Sequence, residues 1–544
     1  MQIGGDPVGG TYAQSSAKIK KEVRNMFVKI AILVVFFAVM ILVGVRARKK
    51  VTGVNDFVMG GRTIGPWMTA FSYGTSYFSA VVFIGYAGQF GWKFGIASTW
   101  IGIGNALIGS LLAWIILGRR TRVMTKHLSS ATMPDFFGKR FNSKALKITA
   151  SAIAFIFLIP YTASVYNGLS KLFALAFDIP YWVCVVAMAV LTGIYVILGG
   201  YMATSVNDFI QGIIMLVGII AVIGSVLAGK GGFTQALFGL AQIAPEATDG
   251  LASAPGIFSS FFGPDPASLL GVVILTSLGT WGLPQMVQKF YAIKDEKAVK
   301  KGTIVSTAFA FIIAGGSYFL GGFGRLFTSE AVASGIVTEG GAKVAYDGII
   351  PLMLQTALSD ILIGVVVVLV LSASMSTLSS LVLTSSSTLT LDLIRGTIVK
   401  NMSQKKQLLF IRVFVLFFIA VSVIIALDPP AFIAQLMGIS WGALAGAFLA
   451  PFLYGLYWKK VSKAAVWASF ICGVGITVSN MFIGYMSPID AGALAMIAGL
   501  VVVPLVSLIT KGTVEKDFGR IDGIFECYNE KVLVRKAEQL SSEE

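Results

Sequence analysis

Thirteen long apolar runs dominate the chain and leave little choice of environment. They fall at 27–45, 66–88, 94–117, 147–173, 181–199, 206–228, 268–290, 302–325, 360–390, 408–427, 431–457, 464–484 and 490–510. Crossing a hydrocarbon core of about 30 Å takes about 20 residues at roughly 1.5 Å each, and most of the runs meet that length. A backbone in lipid must satisfy its own hydrogen bonds, so runs of this kind fold as helices. The chain therefore reads as an all-α integral membrane protein of about 13 transmembrane helices. Its charged content agrees: 12% of 544 residues is half the roughly 25% of a soluble protein, too little to clothe the surface in water.

The net charge of +16 is the kind of balance that marks a nucleic-acid partner. Its distribution points elsewhere. About 32 of the 42 Lys and Arg lie on the side of the loops that follow odd-numbered runs, among them Arg46, Arg48, Arg119, Arg120, Arg122, Lys294, Lys297, Lys459 and Lys460. By the positive-inside rule this puts the N-terminus outside and the C-terminus in the cytoplasm, with the Lys18–Arg24 cluster as the one feature against it. The charge is a topology signal, and no nucleic acid is expected. The chain then divides into an extracellular tail at 1–26, an additional first helix at 27–45, blocks at 66–228 and 268–457, two additional helices at 464–510 and a cytoplasmic tail at 511–544. The run 27–45 lacks a small-residue cleavage pattern and ends in Arg46–Lys50, so it reads as a retained span of a multi-pass plasma-membrane protein.

Three scattered cysteines (Cys184, Cys472, Cys527) and a single histidine, His127, argue against a disulfide framework, a zinc centre and a histidine-based triad. No paired acids or activated nucleophile converge in the runs, so no enzyme activity is expected.

Function in such a chain belongs where polar groups or irregular backbone sit at membrane depth, because both are costly in hydrocarbon. The second run contains Phe71-Ser-Tyr-Gly-Thr-Ser-Tyr-Phe-Ser-Ala80, where Gly74 weakens the helix and Thr75, Ser76 and Ser79 offer rescue for freed backbone groups. The seventh contains Ser277-Leu-Gly-Thr-Trp-Gly-Leu-Pro-Gln285, where two glycines and Pro284 predict an unwound segment. The two breaks are five runs apart. Because five is odd, the second set of five enters from the opposite face, so the repeat is inverted. Paired interrupted helices of this kind point to a transporter binding site, although Gly and Pro are common in membrane helices.

A third feature is the hydroxyl-rich ninth run. Ser372, Ser376, Ser379 and Ser380 fall on one face by helical spacing. Hydroxyl and carbonyl oxygens suit a hard cation, while small residues also serve close helix packing. Asp208 opens the sixth run. Spacing alone supports ion handling and N-terminal helix capping equally there.

At these residues the chain resembles the sodium:solute symporter family, from about Asp56 to Lys460. The resemblance rests on Asp56-Phe-Val-Met-Gly-Gly-Arg62, on Gly199-Gly-Tyr with Asn207-Asp-Phe-Ile-Gln211, on Ser376-Thr-Leu-Ser-Ser380 and on Gly455-Leu-Tyr-Trp-Lys459. It implies a leucine-transporter-type 5+5 inverted repeat with a broken first helix in each repeat. It also implies sodium-coupled symport by alternating access, with Na+ as coupling ion, no cofactor, and the solute, Na+ and the lipid bilayer as partners. Carried onto this chain, the sodium ligands are the carbonyls of Thr75, Phe78 and Ala373 and the hydroxyls of Ser376 and Thr377. A second cation site or release path maps to Asp208, Ser379 and Ser380. Solute is expected between the breaks, near Tyr73, Tyr77, Tyr86, Thr280, Trp281 and Gln285.

Sugar carriers of the family have polar residues where this chain has Val81 and Val82, and proline carriers have an acid at Tyr77 and aromatics near Thr276 and Thr280. Local matches to pantothenate symporters at Thr75–Ser79, Val206–Asp208, Gly282–Pro284 and Lys294–Val299 favour a small organic acid or zwitterion, such as pantothenate or a monocarboxylate. The alternative is a symporter for proline or another amino acid. More remote are a channel, which predicts continuous helices without paired breaks, and a membrane sensor, for which the tail after Lys511 offers no output domain.

Overall fold

A computed structural model describes residues 30–49, 51–177, 180–245, 256–338, 343–395, 401–428, 432–515 and 517–529, with Phe27, Ala254, Gly341, Ile398 and Val399. The basic cluster at 18–24, the loop acids Glu246 and Asp249 and the chain after Asn529 lie outside the described residues. Among the described residues the structure is helical, with three isolated β-bridges in place of any sheet.

Among the described residues ten helices are long and apolar enough to cross a membrane, or eleven if the bent pair Pro266–Gly282 and Pro284–Ala292 counts as one span. Two of the ten, Val81–His127 and Tyr181–Gly229, have 47 and 49 residues. A straight helix of that length would reach about 70 Å, twice the hydrocarbon core. Each is turned by a glycine at positive φ: Gly95 (φ 61) and Gly200 (φ 51). A side chain at Gly200 would also meet the Phe57 carbonyl oxygen at 2.6 Å. The turn at Gly200 falls between the apolar runs 181–199 and 206–228, and that at Gly95 falls at the start of the run 94–117.

Burial sorts the helices into a centre and a shell. Of the most apolar stretch in each, 89% of Ile433–Tyr457 and 78% of Ile361–Ile394 is buried, against 28% of Gln404–Leu427 and 22% of Ile30–Arg48. The shell turns Val35, Trp182, Val217, Ile304, Ile424 and Ile471 outward. Such a surface is stable against lipid tails and aggregates in water. The hydroxyl-rich helix Ile361–Ile394 is therefore central, and its serines and threonines face protein. Small residues let the central helices approach closely: a Cβ at Gly102 would sit 2.6 Å from the Gly315 backbone, and one at Gly473 would sit 2.6 Å from the Gly446 carbonyl oxygen.

Candidate functional site

The first broken helix runs Pro66–Tyr77, ends at Phe78 (φ −105, ψ 96), and resumes as Val81–Tyr86 and Ala87–Phe94. The sequence places the weak point at Gly74, and the structure moves it four residues on. Gly74 is helical, and its missing side chain admits the Phe309 ring, whose Cε1 would lie 2.7 Å from a Cβ there. Ser79 starts the second half by accepting the Val81 N–H on its hydroxyl at 3.2 Å and the Val82 and Phe83 N–H groups on its carbonyl.

A helix that stops at Tyr77 leaves its last carbonyls without partners in their own helix. The central hydroxyl helix meets them. Ser376 Oγ donates to the Thr75 carbonyl at 2.8 Å, and Thr377 Oγ1 lies 3.2 Å from the Thr75 carbonyl and 3.3 Å from that of Ser76. Both hydroxyls are also 3.1 Å from the Ala373 carbonyl. Four of the five sequence-derived sodium ligands, Thr75, Ala373, Ser376 and Thr377, thus converge. Phe78 joins Ala373 in lining a small enclosed cavity with Ser79, Met215 and Leu369. All are buried. A set of uncharged oxygens on two facing helices suits a hard monovalent cation, toward which the hydroxyl lone pairs would turn.

One turn away the same two helices build a second polar cluster. Asp208 is not a helix cap. It lies well inside Tyr181–Gly229, is fully buried, and accepts a hydrogen bond from the Ser72 hydroxyl. Lys289 Nζ is 3.9 Å from Asp208 Oδ2, 2.8 Å from Ser72 Oγ and 2.9 Å from Ser380 Oγ. Ser76 Oγ is 2.8 Å from Ser380 Oγ. Ser380 therefore joins the cluster with Asp208, as the sequence mapping has it, whereas Ser379 spends its hydroxyl on the Ser376 carbonyl of its own helix at 2.9 Å. Lys289 and Ser72 are absent from the sequence-derived set. Lys289 closes the apolar run 268–290, where a basic residue reads as belonging to the rim; burial makes it an interior charge.

The second broken helix bends by 47° between Pro266–Gly282 and Pro284–Ala292. Leu283 alone is extended (φ −82, ψ 122). The glycines before Pro284 are again helical. Gly279 lies under the Trp441 ring, and a Cβ at Gly282 would meet Ala445 Cα at 2.7 Å. Of the six sequence-derived solute residues, four gather against the π-helical turn Asn105–Leu112 and the first half of this helix. Tyr73 and Thr280 donate to the Gly109 carbonyl at 2.7 and 3.0 Å, Trp281 to that of Ile108 at 3.0 Å, and Tyr77 to that of Thr276 at 2.6 Å. Their donors are engaged by backbone. Tyr86 is apart from them, with its hydroxyl 3.3 Å from the Ala434 carbonyl. Gln285, directly after the break, is 1% exposed, and neither its oxygen nor its nitrogen has a hydrogen-bond partner among the described residues. The sequence reading misses two aromatic neighbours: Trp441, 6.0 Å from the Tyr77 ring, and Tyr161, edge-on to Trp441 at 5.8 Å.

One end of the bundle is closed by backbone and arginine contacts. Ile64 N–H donates to the Ala292 carbonyl and Lys294 N–H to that of Ile64, tying the entry of the first broken helix to the exit of the second. Arg62 donates to the Ser130 carbonyl at 2.6 Å, to the Thr125 carbonyl and hydroxyl at 3.2 Å each, and to the Tyr291 carbonyl at 3.3 Å. Arg122 donates to the carbonyls of Ile293 and Lys294.

Comparisons with known proteins agree with this architecture. The chain is 29% identical to the osmoregulated proline transporter of Bacillus subtilis (strain 168), over 92% of this chain and 98% of that one. It is likewise 29% identical to a sodium/proline symporter of Staphylococcus aureus (strain JH9), over 89% and 92%. The solved structure of a Na+-coupled sialic acid symporter superposes with a TM-score of 0.69 at 17% identity, covering 88% of this chain and 98% of that one. At that identity the likeness speaks for fold alone, and the fold is the leucine-transporter-type inverted repeat. The sodium:solute symporter family profile matches residues 57–473, which span both broken helices and both polar clusters. With Na+ as coupling ion and a small molecule as cargo, the chain belongs to the sodium:solute symporter family.

Proposed function

We propose that this symporter carries proline or a similarly compact zwitterion across the plasma membrane, with the N-terminus outside and the C-terminus in the cytoplasm. The observation that carries the solute class is the 29% identity to proline transporters along nearly the whole chain. It outweighs the local motif matches that favour pantothenate. The absence of aromatics at Thr276 and Thr280 also counts for less, because Trp441 and Tyr161 supply aromatic walls from other helices. Gln285 offers an unpaired amide at the second break, and the N-terminus of Pro284–Ala292 offers a positive dipole end to a carboxylate. Sodium binds through Thr75, Phe78, Ala373, Ser376 and Thr377 and bridges the first broken helix to the hydroxyl helix. This favours the state in which the solute site is complete. The repeats 66–228 and 268–457 then rock against each other, with release toward the basic rim.

A small carboxylate lacking an amine remains the second reading, since Tyr77 stands where the family's proline carriers have an acid. A thermal-shift screen of purified protein against proline, pantothenate, lactate, pyruvate and sugars, with and without sodium, separates the two. Stabilisation by proline only with sodium is the expected result. Sodium-dependent stabilisation by pantothenate or lactate with none from proline would replace it with the second reading.

A further inference from the structure

The cluster around Asp208 already contains a cation. Lys289 Nζ directs hydrogen bonds to Ser72 Oγ and Ser380 Oγ and lies 3.9 Å from Asp208 Oδ2, with the Tyr201 ring centroid at 5.3 Å. These are the oxygens that a second sodium would require: a carboxylate on one helix, and serine hydroxyls on the first broken helix and on the hydroxyl helix. An ammonium has three donors and a single positive charge, so it satisfies such a cage as a monovalent ion does. Asp208 is fully buried and Lys289 1% exposed, so neither charge has water to fall back on, and each is balanced by the other.

We infer that the Lys289 ammonium is a tethered cation that permanently fills the second cation site formed by Asp208, Ser72, Ser76 and Ser380, so that the carrier binds one sodium ion per protein chain. This rests on the sodium-coupled reading of the Thr75–Ser376–Thr377 site. Lys289 rides on the half-helix Pro284–Ala292 that begins at the second break. The tether therefore joins the second broken helix to the first one and to the hydroxyl helix without consuming an ion from the gradient. Ser76 links the two clusters, because its carbonyl meets Thr377 and its hydroxyl meets Ser380.

The test is the number of sodium ions bound by purified full-length protein at saturating radioactive sodium, a readout that needs no solute. One ion per chain is expected, lost in a Ser376→Ala/Thr377→Ala variant. Two ions per chain in the unmodified protein overturn the inference and leave the sodium-coupled reading standing, whereas none bound removes both. Replacing the ammonium but keeping its bulk (Lys289→Met) exposes the Asp208 cage, and the count should rise from one to two. It should return to one in Lys289→Met/Asp208→Asn, where neither charge remains. A folded Lys289→Met protein that still binds one ion with unchanged affinity also refutes the tether. If that variant does not fold, the count on the unmodified protein still decides.

Discussion

Removing the two hydroxyls that face the first helix break should damage sodium dependence far more than it damages the fold. In Ser376→Ala/Thr377→Ala the carbonyls of Thr75, Ser76 and Ala373 stay in place, but the hydroxyl oxygens at 2.8 to 3.3 Å from them are gone. A polar contact to a charged group contributes about 1.5–3 kcal/mol. Two of five ligands therefore represent about 3–6 kcal/mol, and at about 1.4 kcal/mol per tenfold the half-saturating sodium concentration should rise by about 100-fold or more. The neutral hydrogen bonds lost from the fold are worth about 1 kcal/mol each, about 2 kcal/mol together. A melting temperature lowered by a few degrees, with the protein still monodisperse, is the expected structural effect. The assay is uptake of labelled solute into proteoliposomes across a sodium titration. Unchanged half-saturating sodium in a folded, active double variant would refute the assignment of these hydroxyls as ligands.

Other predictions follow from the buried charges, the helix contacts and the rim. Asp208→Ala leaves the Lys289 ammonium buried without its counter-ion and should cost about 3–5 kcal/mol; Asp208→Ala/Lys289→Met should recover much of the loss in a melting experiment. Gly282→Val puts carbon against Ala445 Cα (2.7 Å) and Leu449 N (2.9 Å), backbone atoms that cannot swing aside. It should cost about 1–3 kcal/mol and lower folded yield, while Gly475→Val, with nothing within 4 Å, serves as the neutral control. At the rim, burial pushes the Asp135 carboxyl up, but Lys147 and Lys139 outweigh it and hold it below the ordinary carboxylate range. A depressed carboxyl stabilises the fold above the unfolded value of about 3.9 and loses that contribution as pH falls through its folded value. Asp135→Asn should therefore be less stable than the parent at pH about 7, with the gap narrowing in acid melts below pH about 4.

Much of the candidate site was legible in sequence because breaking a helix in lipid needs particular residues. Pro284 cannot donate a backbone hydrogen bond, and the extended residue is its neighbour Leu283. Ser376 and Ser380 could be read from helical spacing and Thr377 from the family resemblance, and all three face the first broken helix. The glycines misled. Gly74, Gly279 and Gly282 are helical and exist to admit Phe309, Trp441 and Ala445, contacts that pair residues far apart in the chain. Five of the six tyrosine, threonine, tryptophan and glutamine positions chosen for solute turn out to donate to carbonyls of a neighbouring helix.

The sequence by itself determined that this is a lipid-facing helical protein with two interrupted helices and a helix of hydroxyls, because hydropathy, proline and spacing act locally along the chain. Only the tertiary structure decided what those pieces face. It set Ser376 and Thr377 on the freed carbonyls of Thr75 and Ser76, and it carried Lys289 from an apparent rim position into contact with Ser72 and Ser380 beside Asp208. A charge written in a sequence has no address until packing removes its water, and here packing makes a lysine and an aspartate, 81 positions apart, each other's only buried counter-charge among the described ion pairs.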